Sequence, residues 1–462
     1  MPRATNSVPL SRVDRRWLLK SSGLAIGAFA LPQISLPSGR TASAADATQS
    51  QRRRAERAIV ILLQGGCSQL ESWDLKPDGP SEVRGEFKPI ATRLPGLQIC
   101  EHLPLLSQRA HRLSVVRSVY HATPGHEPGI HWVLTGYDYP GANLSDRNRN
   151  LNPAMGSVVS KEFGPNTNGL PTYVCIPDGG QLGNQVRFAA AHFLGRAHDP
   201  FESGLPPSSA SEPFEMPPNL SLSEDVDLRR LDDRLHLLRE LDQLPDRLGA
   251  TADRGMENLD LHNRRAMAML TSRATRDAFD LSKEPLALRE RYGNTRVGQE
   301  TILARRLAEA GVPFTLVNFS RNQEWDTHED NFGSLKKTLL PEFDQAFSAL
   351  LDDLDTRGML ESTLVAVITE FGRTPSINKW VGRDHWPGVF SIVMTGGGLK
   401  SGQVIGASDS FGAEPIERPV HINDILATIY DQLGVPLDRA HPDYQGRPIP
   451  ILPHGQPLPE LI

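Results

Sequence analysis

The chain has 462 residues, of which 39% are hydrophobic and 23% are charged, so it can bury a large core and has the composition of an ordinary globular enzyme. Its formal net charge is -6 and no basic stripe is present, which argues against nucleic acid as a partner. The three cysteines, Cys67, Cys100 and Cys175, are widely spaced, which excludes a disulfide framework and a zinc-knuckle spacing.

The N-terminal segment has the pattern of an export signal. The sequence SRVDRRWLLK contains the adjacent Arg15 and Arg16, and the apolar run 23–31 follows it. This pattern is similar to a twin-arginine signal, with small residues for cleavage at 42–44. The alternative is a membrane anchor, but a spanning helix needs about 20 apolar residues. We therefore expect a periplasmic or secreted mature chain that begins near Ala45 and keeps no stable transmembrane anchor.

Beyond this segment, helix and strand patterns alternate along the chain. Predicted strands cover 58–63, 113–119, 172–177, 314–319, 364–368 and 390–394, and predicted helices cover 103–109, 228–244, 297–310, 340–354 and 423–433. This alternation predicts an α/β fold with a doubly wound, mostly parallel sheet sandwiched by helices.

The expected organisation is one large domain with short flanking segments. Residues 1–44 are predicted to be the signal peptide and 45–57 a charged linker. The α/β domain is expected to cover 58–452, with a surface insertion at about 197–263 where Pro and Ser clusters precede a charged helix. Residues 453–462 form a tail.

Charged side chains follow the buried strand predicted at 364–368. Glu370 lies just past its carboxyl end, and the loop beyond contains Arg373, Arg383 and His385. In open α/β sheets ligands bind outside the carboxyl ends of the strands. A Glu and a His with two arginine forks suit a metal or an oxyanion such as phosphate or sulfate. The alternative is a solvated salt-bridge cluster.

Two further segments place candidate groups near this edge. Asp326 and His328 follow the strand predicted at 314–319. The segment SVYHATPGHEPGIHWVLTG contains His121, His126 and His131, which we place in a loop or at the entrance of a helix. A helix N-terminus attracts anions, so this loop is a candidate oxyanion site. The alternative is that some of these histidines cap a helix or fill the core.

Six motifs occur in an order that resembles a known family. They read GGCSQLESWDLKP, SVYHATPGH, WDTHEDNF, TEFGRTP, GRDHWP and GGGLKSGQVIG. Together they resemble the bacterial family called domain of unknown function 1501, within the alkaline phosphatase and sulfatase superfamily. The resemblance runs from Ala58 to about Leu452 and implies an alkaline phosphatase-like fold. Members of this family are commonly exported with a twin-arginine leader.

The chain departs from the superfamily at its usual working positions. Gln64 stands where the first strand would end in a metal-binding aspartate. His126 occupies the nucleophile position of the sulfatase signature, and Ile130 replaces its arginine. Formylglycine chemistry is therefore excluded. Phe371 replaces the histidine of the usual Asp-His pair, so a complete two-metal site is not expected.

The remaining donors still suit one divalent ion. Asp326, His328, Glu370 and His385 come from three segments that a parallel sheet would bring to one edge. Two carboxylates and two imidazoles suit Zn²⁺ or a similar transition ion better than Ca²⁺, which prefers an all-oxygen shell.

These features lead to two functional hypotheses. The first is a metal-assisted hydrolase of a phosphate or sulfate ester, on a small molecule or a polysaccharide, with His126 as nucleophile or general base and Arg373 or Arg383 stabilising the oxyanion. The second is a non-catalytic relative that keeps the fold as a binding or scaffolding module.

Overall fold

The structure is a computed structural model that describes residues 55–139, 151–166, 169–179, 187–217, 220, 233, 267–319 and 323–462. The predicted export signal, and the predicted helix 228–244 apart from residue 233, lie outside these residues. No helix of the described segments is both long and apolar enough to cross a bilayer.

A nine-stranded sheet forms the centre of the described segments. Its strands are β1 (Arg57–Leu62), β2 (Ser114–Tyr120), β3 (Tyr173–Ile176), β4 (Phe201–Glu202), β5 (Phe314–Asn318), β6 (Thr363–Ile368), β7 (Phe390–Gly396), β8 (Gln403–Ile405) and β9 (Val420–His421). The spatial order is β8-β2-β7-β6-β1-β5-β3-β4, and β9 also pairs with β2. All neighbouring strands are parallel except those that flank β7, which is antiparallel to β2 and β6.

Helices cover both faces of the sheet. The five longest helices whose bounds lie within the described residues are α1 (His126–Thr135), α2 (Met155–Phe163), α3 (Arg296–Ala310), α4 (Leu340–Thr356) and α5 (Ile422–Leu433). Alternate residues of β1 enter different cores: Ile59 and Ile61 pack with α3 and α4, whereas Ala58 and Val60 pack with α1, α2 and α5. The predicted α/β fold with a mostly parallel sheet between helical layers is therefore confirmed.

Short helices and two-stranded pairs lie outside the central sheet and the five long helices. The short α-helices are Ser81–Arg84, Pro104–Ser107, Arg273–Phe279, Leu286–Tyr292 and Asn331–Ser334, the last followed by a π-helical turn, Leu335–Leu339. Two-stranded pairs join Pro89–Ala91 to Gln98–Cys100, Gly372–Arg373 to His385–Trp386, Ala407–Ser408 to Pro415–Glu417, and Ala440–Pro442 to Pro448–Pro450.

The register of the central strands aligns their carboxyl ends. Leu62 of β1 lies opposite Asn318 of β5 and Ile368 of β6. Each of these strands is buried along nearly its whole length, as expected for a sheet covered on both faces. The loops that follow β1, β5 and β6 therefore leave the sheet at the same edge.

The structure shows where α3 ends and what part of the predicted insertion forms. Helix α3 ends at Gly311, which has the left-handed conformation (φ 97°) that the sequence predicts for its stop. The residues Phe201–Glu202 fall inside the predicted insertion but form the edge strand β4, paired with β3. The three cysteines are all buried and free.

Candidate metal centre

The loops at the carboxyl edge bring three histidines around one aspartate. Asp326 comes from the loop after β5, and His328 follows it. His126 is the first residue of α1, which comes after β2. His385 lies in a short strand that pairs antiparallel with Gly372–Arg373, directly opposite Arg373.

Gly382 allows the long loop between those paired strands to pack against the backbone of His328. At Gly382 an added Cβ would lie 1.8 Å from the backbone oxygen of His328, so only glycine permits this approach. Asn378 fixes the same contact, since its Nδ2 donates to the His328 oxygen at 2.9 Å. The neighbouring Val381 has a φ of 59°, which is strained for a β-branched residue.

The Asp326 carboxylate is the centre of the cluster. Its Oδ2 lies 3.1 Å from Nε2 of His126. Its Oδ1 lies 3.1 Å from Nε2 of His328 and 3.1 Å from Nε2 of His385, and those two ring nitrogens are 2.9 Å apart. Arg373 donates from Nη2 to the same Oδ1 at 2.6 Å.

The opposite ring nitrogen of each histidine faces an oxygen acceptor. The pairs are His126 Nδ1 with Glu370 Oε1 at 2.8 Å, His328 Nδ1 with Asp384 Oδ1 at 2.7 Å, and His385 Nδ1 with the Pro124 carbonyl oxygen at 2.7 Å. An acceptor keeps the proton on Nδ1, so the neutral ring carries a lone pair on Nε2. All three lone pairs then point toward Asp326.

This arrangement fits a cation. Nε2 of His126 is buried and makes no hydrogen bond within the described residues, although Asp326 is 3.1 Å away. Ligand atoms of His126, Asp326 and His385 all lie within 4.8 Å of one another. Imidazole nitrogens with one carboxylate, each ring fixed by an acceptor at its outer nitrogen, are the donor set of Zn²⁺ and similar ions. One side is open, since the His328 side chain is 39% exposed.

The charges of the cluster are strongly coupled. Burial lowers the pKa of His126, but the adjacent carboxylates of Asp326 and Glu370 outweigh it and raise the pKa to about 9. Burial raises the pKa of Asp326, but the adjacent rings of His126 and His385 and the Arg373 guanidinium hold it far below its usual range. Without a metal a proton balances the carboxylates, and a bound cation would take its place.

Glu370 contacts the outer nitrogen of a histidine. Its side chain is fully buried, and Oε1 accepts from the Gly65 backbone N–H at 2.7 Å as well as facing His126. Gly65 has a φ of 124°, and a Cβ there would lie 2.4 Å from the backbone nitrogen of Asp326. Glycine therefore lets the β1 and β5 loops meet beneath the cluster.

Arg373 is fully buried between these loops. Besides Asp326, its guanidinium donates to the carbonyl oxygens of Gly65, Gly66, Trp325 and Arg383. Arg373 thus joins three loops and compensates the Asp326 charge.

Arg383 precedes His385 by two residues in the chain and is also fully buried. Its Nε and Nη2 contact both carboxylate oxygens of Glu71, with Nη2 at 2.6 Å from Oε1. Its remaining donors bond the carbonyl oxygens of Val83, Thr374 and Pro375. All five donors of the guanidinium are therefore used within the protein.

Two other histidines of the same segment are satisfied in the interior. His121 faces the Glu370 backbone oxygen through Nε2 at 2.5 Å and accepts from the Thr123 N–H at 3.2 Å. His131 faces the Tyr137 oxygen through Nδ1 at 2.9 Å and accepts from the Asn152 N–H at 3.2 Å. Burial lowers the pKa of His121 to about 4 and that of His131 to about 3, so both are neutral.

The structure thus brings most of the predicted site residues together. Five form one cluster: His126, Asp326, His328, Glu370 and His385. Arg373 contacts it through Asp326, whereas the carboxylate partner of Arg383 is Glu71. Sequence reasoning missed the acceptors Asp384 and Pro124. The position of Asp384 beside His385 was a usable signal, since histidine ligands commonly pair with carboxylates.

The family of the chain follows from its sequence. Residues 55–462 match a family described as "Protein of unknown function (DUF1501)". The match covers most of the chain, so the chain belongs to the DUF1501 family. No curated protein matches it.

Several solved structures are similar in fold at low identity. A lipoteichoic acid synthase from Listeria monocytogenes is 9% identical, with a TM-score of 0.38 over 86% of this chain and 75% of that one. A sulfatase from Pseudoalteromonas sp. is 14% identical, with a TM-score of 0.36 over 84% and 68%. An alkaline phosphatase from the Antarctic bacterium TAB5 is 10% identical, with a TM-score of 0.34 over 78% and 96%. These likenesses concern the arrangement of the sheet and its helices.

Proposed function

We propose that this protein binds one divalent transition ion, with Zn²⁺ the best match to the donors, through Asp326, His126, His328 and His385. The observation that supports this most strongly is the convergence of three Nε2 atoms on one carboxylate, with each Nδ1 held by an acceptor. Glu370 then orients His126 and does not bind the ion itself. This assignment makes His126, predicted from the sequence as nucleophile or general base, a ligand, and it makes Glu370, predicted as a ligand, the group that orients His126.

We further propose that the protein with its metal ion bound hydrolyses a phosphate or sulfate ester, as the resemblance to the alkaline phosphatase-like superfamily suggests. A divalent ion can polarise an ester oxygen and lower the pKa of a bound water. The two nitrogens of His126 are committed to Glu370 and to the ion, so water is the nucleophile. Arg373 keeps Asp326 ionised, and the exposed side of His328 gives access to a small-molecule or polysaccharide ester.

A second candidate is a metal-binding protein without turnover. The donors of Arg373 and Arg383 bond backbone oxygens and carboxylates of the protein itself. A phosphate or sulfate would have to displace these bonds to contact either fork. This observation favours a binding or scaffolding role.

One experiment separates the candidates. The purified protein is stripped with a chelator, reloaded with Zn²⁺ and assayed on p-nitrophenyl phosphate and p-nitrophenyl sulfate. The hydrolase predicts that one ester is cleaved only after reloading and not by His385→Ala. Stoichiometric Zn²⁺ without cleavage of either ester supports the non-catalytic candidate, and failure to bind Zn²⁺ contradicts both.

We also propose export by the twin-arginine route, on the pattern around Arg15 and Arg16. Replacing both residues by Lys should retain the protein in the cytoplasm of its host, as measured by fractionation. Unchanged export of the double variant would contradict the proposal.

A further inference from the structure

A second cleft lies away from the metal centre. It has a volume of about 390 Å³ and is lined by the β-hairpin of Pro89–Ala91 and Gln98–Cys100, by the turn between them and by β2. None of its lining residues belongs to the cluster around Asp326. The volume is within the range of about 300–1,000 Å³ that is typical of small-molecule sites.

The lining combines apolar side chains with one cation. Leu75, Pro89, Leu94 and Leu97 line the cleft together with Arg117 of β2. Thr92 and Gln98 also line the cleft, so its polar groups can fix the orientation of a ligand whose apolar part contacts the leucines.

Arg117 has unused donors. Its Nη1 lies 3.4 Å from Asp74 Oδ1, and within the described segments this is the single hydrogen bond of its guanidinium. Its Nε is buried and has no acceptor there. Its Nη2 also makes no hydrogen bond there and is not buried, so this nitrogen can donate to a ligand that supplies an acceptor.

The local charge also favours an anion. Asp74 is shared, because Lys76 Nζ lies 3.1 Å from the same Oδ1 and Ser408 donates to its Oδ2. Two cations therefore surround one carboxylate. An arginine whose outer nitrogen Nη2 is free can donate to the oxygens of a carboxylate.

We propose that this cleft binds the carboxylate of a small amphipathic acid, with Arg117 on the carboxylate and the leucines against an acyl or aryl body. The site is independent of the metal centre and of the proposed hydrolysis.

The test is isothermal titration calorimetry of the full protein with octanoate, acetate and 1-octanol. We expect saturable 1:1 binding of octanoate and at least about tenfold weaker binding of acetate, which lacks the apolar body. Arg117→Met should weaken octanoate by about tenfold or more, the effect of losing a charge-assisted hydrogen bond. It should change 1-octanol binding by less than about twofold, because the apolar wall stays intact.

Two variants keep the test decisive. Arg112→Met removes the same charge from a residue of similar exposure that pairs with Asp352 and Asp355 outside the cleft, and it should bind octanoate like the wild type. Ala91→Phe, at an exposed lining position, should block octanoate and 1-octanol alike, even if Arg117→Met does not fold. Octanoate binding that survives Ala91→Phe, that is equal in Arg117→Met and wild type, or that is absent in the wild type would overturn the proposal.

Discussion

Helix α1 carries two histidines in contrasting surroundings. His126 and His131 are five residues apart, so they point about 140° apart around the helix axis. His131 lies in the interior, where both ring nitrogens have backbone partners. His126 lies at the edge of the sheet, where Nδ1 has a partner and Nε2 faces Asp326 without a hydrogen bond. The unsatisfied nitrogen, more than the density of histidines, marks the site.

The largest effect should come from removing a histidine at the metal centre, compared with removing one in the interior. His385→Ala removes one of the proposed ligands, so we expect the zinc content to fall from about one ion per chain to nearly none. His131→Ala should keep the zinc. It should instead lower the free energy of unfolding by about 2–4 kcal/mol, because it leaves a cavity and two unpaired backbone groups.

Zinc content by atomic absorption and unfolding by urea give the two readouts. If His131→Ala loses zinc while remaining folded, or if His385→Ala retains it, the distinction between the two histidines fails.

A second comparison is between two carboxylates, Asp344 in the interior and Asp326 at the metal centre. Asp344 of α4 accepts from the backbone N–H groups of Leu105 and Leu106, and the charge of Arg109 acts on it without the direct ion pair that Arg373 forms with Asp326. Burial raises the pKa of Asp344 to about 6, and the two N–H bonds lower it only partly. The folded protein therefore binds more protons than the unfolded chain between about pH 4 and pH 6, and stability falls as pH rises through that window.

Asp344→Asn lacks this titration. Subtracting its free energy of unfolding from that of the wild type, measured in urea at each pH, cancels the other groups. We expect the difference to fall by up to about 3 kcal/mol from pH 4 to pH 7. A difference that stays flat or rises would show that the pKa of Asp344 is not raised.

The acceptors behind the histidines should have a smaller effect. Asp384→Asn keeps the shape but weakens the acceptor that holds the proton on Nδ1 of His328. We expect the affinity for Zn²⁺ to fall about 10–100-fold, as is typical for such outer partners. Asp355→Asn is the control, since Asp355 is similarly exposed and pairs with Arg112. Competition with a chromogenic chelator measures both, and equal affinities would exclude an orienting role for Asp384.

The smallest effect concerns strain beside the site. Val381 has a φ of 59°, which costs about 1–3 kcal/mol. Val381→Gly should therefore stabilise the protein by about 1 kcal/mol after the entropy cost of glycine is subtracted. Ile416→Gly, at an exposed β-branched position without a positive φ, should destabilise it by about 0.5–1 kcal/mol. Thermal unfolding of both variants checks the prediction, and a destabilised Val381→Gly would contradict it.

The sequence predicted the frame well because the signals are local. Buried β-branched runs identified β1, β5 and β6, and the glycine after α3 identified its end. The parallel arrangement then follows from alternation of helices and strands. Donors at the ends of β5 and β6 were therefore expected at one edge, where the structure has them.

The finer assignments depend on contacts that spacing does not reveal. Glu71 and Arg383 are 312 positions apart, and nothing local in the sequence indicates that they pair. The pairing of His385 with Arg373 across a two-residue strand is similarly hidden. Whether Glu370 binds an ion or orients His126 depends on the side chain directions in the fold.

The most direct test of the metal centre is X-ray absorption at the zinc edge of the reloaded protein. We predict three imidazole ligands and a carboxylate oxygen around each ion in the wild type, and two imidazoles around the small fraction of zinc that His126→Ala still binds when the metal is in excess. A first shell with at most one imidazole, or the same imidazole count in His126→Ala, would contradict the convergence of the three histidines on one ion.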